Sequence, residues 1–177
     1  MAKSLRKISV ALCYFLRHDP AKIGLTLGND AWADIGELIE KAAPQCPGLD
    51  YEMLMQIVKE DEKGRYGLSE DGKSIRCVQG HSTPTVKVKH TKKTPPPTLY
   101  HGTTLRFIDS IMKQGLIPGT RHHVHLSGDL SSARPRKEPV VLEIDTRQMV
   151  KEGAEFFIAD NGVWLTDFVP AKFIRRL

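Results

Sequence analysis

Two Arg-His pairs stand far apart in the sequence, Arg17-His18 in "FLRHDP" and Arg121-His122 in "GTRHHVHLS". Both residue types suit an anion. The planar fork of arginine bonds two phosphate oxygens at once, and an imidazole with a reference pKa near 6.5 binds phosphate as a cation or passes it a proton. Arg65, in "EKGRYGL", is a third arginine placed beside a turn glycine, Gly64. His122, His123 and His125 invite a metal instead. A strand through them, however, sets His123 and His125 on one face with Ser127, and His122 on the other with Val124 and Leu126. Only two imidazoles then converge, and no HExxH, carboxylate-backed pair or cysteine cluster supplies the missing ligands. No metal site is expected, and the three histidines read as hydrogen-bonded groups in a polar crevice.

The elements that must hold these residues follow from periodicity. Leu5, Ile8, Leu12, Phe15 and Leu16 recur at helical spacing, and Pro20 disfavours helix in the residue before it, so a first helix ends near Arg17-His18. Cations at that end are favoured by the helix dipole and can bond the last carbonyls, whatever else they do. "DAWADIGELIEKAA" and "LDYEMLMQIVKED" predict two further helices capped by Asp34 and Asp50. "GRYGLSEDGKSIRCV" alternates about an Asp71-Gly72 turn, as a hairpin does. Three helices and a hairpin suggest a winged helix over residues 1–83. Lysine and proline then dominate "STPTVKVKHTKKTPPPT", which lacks an apolar period and reads as a linker at 84–97. In 98–177, "TLYHGT" predicts a strand and turn, "LRFIDSIMKQGL" a helix stopped by Gly115, and "HHVHLS", "PVVLEID", "EFFIAD" and "VWLTDFV" strands. The fold class is α+β, in two lobes.

Composition narrows the partners. The 177 residues carry 26 Lys and Arg against 21 Asp and Glu, a net charge of +5 that favours an anionic partner such as nucleic acid or nucleotide. Cys13, Cys46 and Cys77 are odd in number and form no CxxC pair, which fits a reducing cytoplasm rather than a disulfide framework. The N-terminal stretch reads as a helix and not a signal peptide, and no apolar run is long enough to span a bilayer. The lysines of "VKVKHTKK" suit an RNA backbone or a solvated linker equally.

Taken together, "FLRHDP", "AWADIGELI", "KGRYGLSEDGKSIRCVQGHS", "LYHGT", "IMKQGLIPGTRHHVHLS" and "NGVWLTDFVP" resemble, in this order, the RNA 2′-phosphotransferases. These are NAD-dependent enzymes that remove the internal 2′-phosphate left at some RNA splice junctions. The resemblance runs from the first helix to the C-terminus. It implies a winged-helix RNA-binding lobe followed by an ADP-ribosyltransferase-like lobe. It also implies an Arg-His-Arg-Arg set for the phosphate, matched by Arg17, His18, Arg65 and Arg121, drawn together in a cleft between the lobes. His101, Gly102, Thr103 and Ser127 match the NAD site, with a tight turn at Gly102 letting backbone approach the nicotinamide carboxamide. "GDLSSARPRKEPVVLEID" is shorter than its family counterpart, which carries a longer helix, so NAD contacts from Ser131 to Pro139 are not carried over.

The implied reaction has two steps. The RNA 2′-phosphate attacks the anomeric carbon of the nicotinamide ribose and expels nicotinamide, giving an ADP-ribosylated 2′-phospho-RNA. The ribose 2″-hydroxyl then attacks the phosphate, leaving 2′-OH RNA and ADP-ribose 1″,2″-cyclic phosphate. The implied partners are a tRNA-like RNA with an internal 2′-phosphate and NAD as co-substrate, with no metal and no membrane, and the chain acting as a monomer. Two rivals remain open: a transferase that stops after ADP-ribosylating a terminal nucleic-acid phosphate or a protein, and a winged-helix DNA-binding regulator. The second leaves "YHGT" and "RHHVHLS" without a role.

Overall fold

In the computed structural model, residues 3–84, 86–133 and 139–177 are described. The chain divides into two compact units, Met1–Lys89 and His90–Leu177. Each has its own apolar core, and all strand pairings in the small sheets are antiparallel, an α+β architecture.

In the first unit, α1 (Lys3–Arg17) buries Leu5, Ser9, Leu12, Cys13 and Leu16, one stripe at three- and four-residue spacing. The helix stops where Pro20 follows, with the His18 N–H donating to the Tyr14 carbonyl at 2.9 Å. α2 (Ile35–Ala42) and α3 (Tyr51–Lys59) begin at the expected caps. Asp34 accepts from the Glu37 N–H at 2.9 Å and Asp50 from the Met53 N–H at 2.7 Å. β1 (Ala33–Asp34), β2 (Tyr66–Leu68) and β3 (Ser74–Cys77) form a sheet in the order β1-β3-β2. The β2-β3 hairpin turns at Asp71-Gly72, as expected, with Gly72 at φ 69°. Leu12, Leu38, Leu54, Ile57 and Ile75 meet in the core.

The second unit contains β4 (Thr91–Lys92), β5 (Thr98–Thr104), α4 (Leu105–Gln114), β6 (Val124–Leu126) and β7 (Pro139–Asp145). These are followed by α5 (Thr146–Lys151), β8 (Phe157–Ile158), β9 (Trp164–Thr166) and β10 (Ile174–Arg176). The sheets run β10-β7-β5 and β4-β8-β9-β6. A bridge links them, the Tyr100 N–H donating to the Ser127 carbonyl at 2.9 Å and the Ser127 N–H to the Tyr100 carbonyl at 2.8 Å. α4 ends at Gly115 (φ 85°) as expected, and a Cβ there would lie 2.2 Å from the Val169 carbonyl.

Three elements carry no period the sequence could show. β4 lies inside the Lys/Pro-rich stretch and pairs with β8, Thr91 opposite Ile158 and Lys92 opposite Phe157. α5 is a short helix started by Asp145, which accepts from the Gln148 N–H at 2.9 Å. β10 is an edge strand with one buried residue, Ile174, opposite Ile144. One expectation is corrected: "YHGT" makes no turn at Gly102. β5 continues through Thr104, with His101 opposite Leu142, Gly102 opposite Val141 and Thr103 opposite Val140, because β7 offers it a full-length partner.

Candidate active site

In the first unit the segment after the hairpin folds back onto the end of α1. The Arg17 carbonyl accepts from the Ser82 N–H at 3.0 Å and from the Thr83 hydroxyl at 2.9 Å. His18 Nδ1 shares a 2.9 Å hydrogen bond with the Ser82 hydroxyl, which fixes the ring. Gly80, at φ 88°, lies beside the Arg17 guanidinium, which a Cβ would meet in ordinary van der Waals contact at 3.7 Å. Arg17 Nε and Nη2 are buried and have no hydrogen-bond partner among the described residues.

Arg65 is tied to Asp61 one helical turn earlier in sequence. Nε donates to Asp61 Oδ1 at 2.8 Å, Nη2 lies 2.7 Å from the same oxygen, and the backbone N–H of Arg65 donates to Oδ2. The Asp61 side chain is 1% exposed and that of Arg65 27%, so the carboxylate is an internal anchor for a partly open cation. Tyr66, the next residue, reaches into α1: its hydroxyl donates to the Ser9 carbonyl at 2.7 Å and lies 3.1 Å from both Ser9 Oγ and Cys13 Sγ. Tyr66 therefore fixes the start of β2, with Arg65 just before it, against the helix bearing Arg17. The Cys13 thiol is held below its ordinary range by the Cys77 thiol and by cationic Arg17 and Arg65, against the opposing effect of burial. The charges of Arg17 and Arg65 thus both favour the thiolate of one buried cysteine.

In the second unit the Tyr100–Ser127 bridge brings Ser127 beside β5, where His101 and Thr103 share one face and Gly102 takes the other. His101 Nδ1 lies 3.0 Å from the His125 carbonyl. A carbonyl only accepts, so Nδ1 carries the hydrogen, and the neutral ring presents Nε2 as an acceptor. Burial lowers the His101 pKa, and the nearby charge of Arg121 lowers it further, although the His125 carbonyl favours the cation. Arg121 itself is exposed, in the loop before β6. Thr103 is buried.

The other histidines divide rather than cluster. His125 donates from Nδ1 to the His123 carbonyl at 3.0 Å. His123 Nε2 stands 3.7 Å from Asp167 Oδ1, and its ring meets those of His90 and Phe157. Burial holds the His123 pKa down against the pull of Asp167. Among the described residues no group of three or more His, Cys, Asp or Glu side chains is arranged to hold a metal ion. Residues 134–138, within the shortened segment before β7, lie outside the described residues.

Residue by residue, the first unit holds Arg17, His18 and Arg65 and the second holds Arg121, His101, Gly102, Thr103 and Ser127. Sequence reasoning missed Asp61, Ser82, Thr83 and Tyr66. The four-residue spacing of Asp61 and Arg65 was a readable signal. The contacts of Ser82, Thr83 and Tyr66 join residues 53 to 66 positions apart and left none.

Guanidinium, imidazole and hydroxyl groups are the side chains that bond oxyanions, and both α+β units carry them. The family described as RNA 2′-phosphotransferase, Tpt1 / KptA family, matches residues 3–168. A protein of Burkholderia lata named "Probable RNA 2′-phosphotransferase" is 49% identical, over 99% of this chain and 93% of its own length. Proteins of the same name from Pseudomonas aeruginosa and Pseudomonas syringae pv. tomato are 49% and 46% identical, over 98% and 99% of this chain and 98% and 96% of their own lengths. The chain belongs to this family of transferases.

Proposed function

We propose that this protein removes the internal 2′-phosphate of a tRNA-like RNA in the cytoplasm by transferring it to NAD. In this reading residues 1–83 are a winged-helix RNA-binding lobe, 84–97 a linker and 98–177 an ADP-ribosyltransferase-like lobe. The observation that carries it is family membership over nearly the whole chain. Arg17, His18, Arg65 and Arg121 act on one phosphate, while His101, Gly102, Thr103 and Ser127 hold NAD.

The chemistry of the groups supports this division. A phosphate monoester near neutral pH is largely dianionic, its second pKa being about 6, so it needs orientation and not a general base to act as a nucleophile. Arg17 Nε and Nη2, buried donors with no hydrogen-bond partner among the described residues, suit its oxygens, since an unsatisfied buried donor is costly and a phosphate relieves it. Arg65, aimed by Asp61 through Nε and Nη2, keeps its remaining N–H donors for the same task. His18, steadied by Ser82, protonates the departing RNA 2′-oxygen.

The second group fits a dinucleotide. His101 Nε2 accepts from a ribose hydroxyl, Thr103 and Ser127 offer hydroxyls, and Gly102 adds no side chain to crowd its face of β5. When bound, NAD supplies an electrophilic anomeric carbon and, after nicotinamide departs, a ribose hydroxyl that takes up the phosphate. Charge shifts on phosphorus in that second transfer, and cations fixed beforehand stabilise it without reorganisation.

The test is incubation of purified protein with NAD and an RNA carrying one internal 2′-phosphate, in the presence of EDTA. Loss of the 2′-phosphate with release of nicotinamide and a cyclic phosphate is expected. A product that stops at ADP-ribosylated RNA supports the one-step transferase instead, and no reaction with tight duplex binding supports the regulator.

A further inference from the structure

Resting on that reading, we propose that Tyr14 is the stacking platform for the nucleobase next to the RNA 2′-phosphate. Tyr14 lies one helical turn before His18 on α1 and is 42% exposed, unlike Phe15 beside it, which is buried in the core. Its ring centroid is 5.9 Å from that of His18, at an interplanar angle of 48°. The Lys22 ammonium stands over the ring, 5.2 Å from its centroid. An exposed aromatic ring, with the Lys22 ammonium over one face, therefore lies beside the imidazole assigned to the phosphate.

The surroundings select the ligand. Lys7, Val10 and Tyr14 along α1 and His18 just past its end follow one another at three- and four-residue steps, and all four are exposed, Val10 at 59%. The stripe thus carries a lysine at one end and an imidazole at the other, with apolar and aromatic surface between them. α1 contains no acidic residue. Asp19 accepts from the Tyr14 hydroxyl at a long 3.4 Å and from the Lys22 N–H at 3.1 Å, so it is engaged in closing the turn after the helix. A single strand of nucleic acid has the complementary pattern, phosphates for the lysines and flat bases for the ring. Stacking of this kind tolerates any base, so it orients the flanking nucleotide without reading sequence. Tyr14 is a positioning residue, and its loss weakens RNA binding more than it slows chemistry.

The test uses the full chain, saturating NAD and two short RNAs with one internal 2′-phosphate, each bearing 2-aminopurine on one side of the phosphorylated nucleotide. With the unaltered protein, 2-aminopurine at one of these neighbours is expected to be quenched on binding. Tyr14→Leu should abolish that quenching and raise KM for the RNA about 10-fold, while Tyr14→Phe and Tyr14→Trp, which keep a ring, preserve both. Far-ultraviolet circular dichroism and Tm, unchanged in all three variants, keep a folding defect from imitating the result. Quenching and KM unaffected by Tyr14→Leu overturn the inference while leaving the parent reading intact. An equal rise of KM in the Phe, Trp and Leu variants overturns it too. Absence of turnover by the unaltered protein instead overturns the parent reading and this inference with it.

Discussion

Asp61→Asn isolates the charge that aims Arg65. The carboxylate gives one oxygen to Arg65 Nε and Nη2, at 2.8 and 2.7 Å, and the other to the Arg65 backbone N–H. Asparagine has nearly the same shape but only one acceptor. If its oxygen faces the guanidinium, its amide meets the backbone N–H; if it is flipped, the amide meets the guanidinium. Either way one donor faces another in a site where the Asp61 side chain is 1% exposed. Breaking a buried ion pair costs about 3 to 5 kcal/mol, and the 27% exposure of the Arg65 side chain reduces this through solvent screening to about 2 to 3 kcal/mol. That is a factor of roughly 30 to 150 in the folded-to-unfolded ratio. The assay is urea unfolding followed by the fluorescence of Trp32 in a Trp164→Phe background, which removes the other of the two tryptophans. Phosphate removal should fall about 10-fold or more in the same variant, as Arg65 loses its aim. A loss of stability under about 0.5 kcal/mol, with turnover unchanged, would show that Asp61 neither anchors the unit nor orients Arg65.

Three further outcomes are expected. Gly115→Ala should destabilise the second unit by about 3 kcal/mol, read by urea unfolding, since the added carbon would stand 2.2 Å from the Val169 carbonyl at a φ of 85°. His18→Ala should slow the second chemical step more than the first, so rapid-quench time courses should show build-up of RNA carrying ADP-ribose on its 2′-phosphate. His101 has its pKa lowered by burial, so the unfolded chain takes up the proton first as pH falls. Its contribution to stability is therefore present above about pH 6.5 and lost as pH drops through the folded value. Urea midpoints at pH 7.5 and pH 5.5 should thus fall further in the unaltered protein than in His101→Gln.

Much of this was legible in the chain because the signals are local. The stripe of α1, the Asp34 and Asp50 caps and the Asp71-Gly72 turn each lie within a few residues of what they determine. Gly102 shows where local reading fails. A glycine between histidine and threonine reads as a turn, yet pairing with β7 holds it in a strand, a non-local preference that no nearby residue announces. β10 escaped for the same reason: one isoleucine and two arginines become a strand only because Ile144 and Glu143 lie opposite, with Arg175 2.8 Å from Glu143. The candidate residues themselves were named from motifs. Their supports were not, since the Tyr66 hydroxyl and the Ser82 and Thr83 contacts close loops of more than fifty residues.

The central claim is that the RNA phosphate is itself transferred and not hydrolysed. Its most direct test is a single-turnover reaction with RNA labelled by radioactive phosphorus in the 2′-phosphate alone, with and without NAD. The account predicts that all of the label moves to ADP-ribose 1″,2″-cyclic phosphate, with one nicotinamide released per phosphate, and that nothing happens without NAD. Label appearing as inorganic phosphate, or leaving the RNA in the absence of NAD, would contradict it.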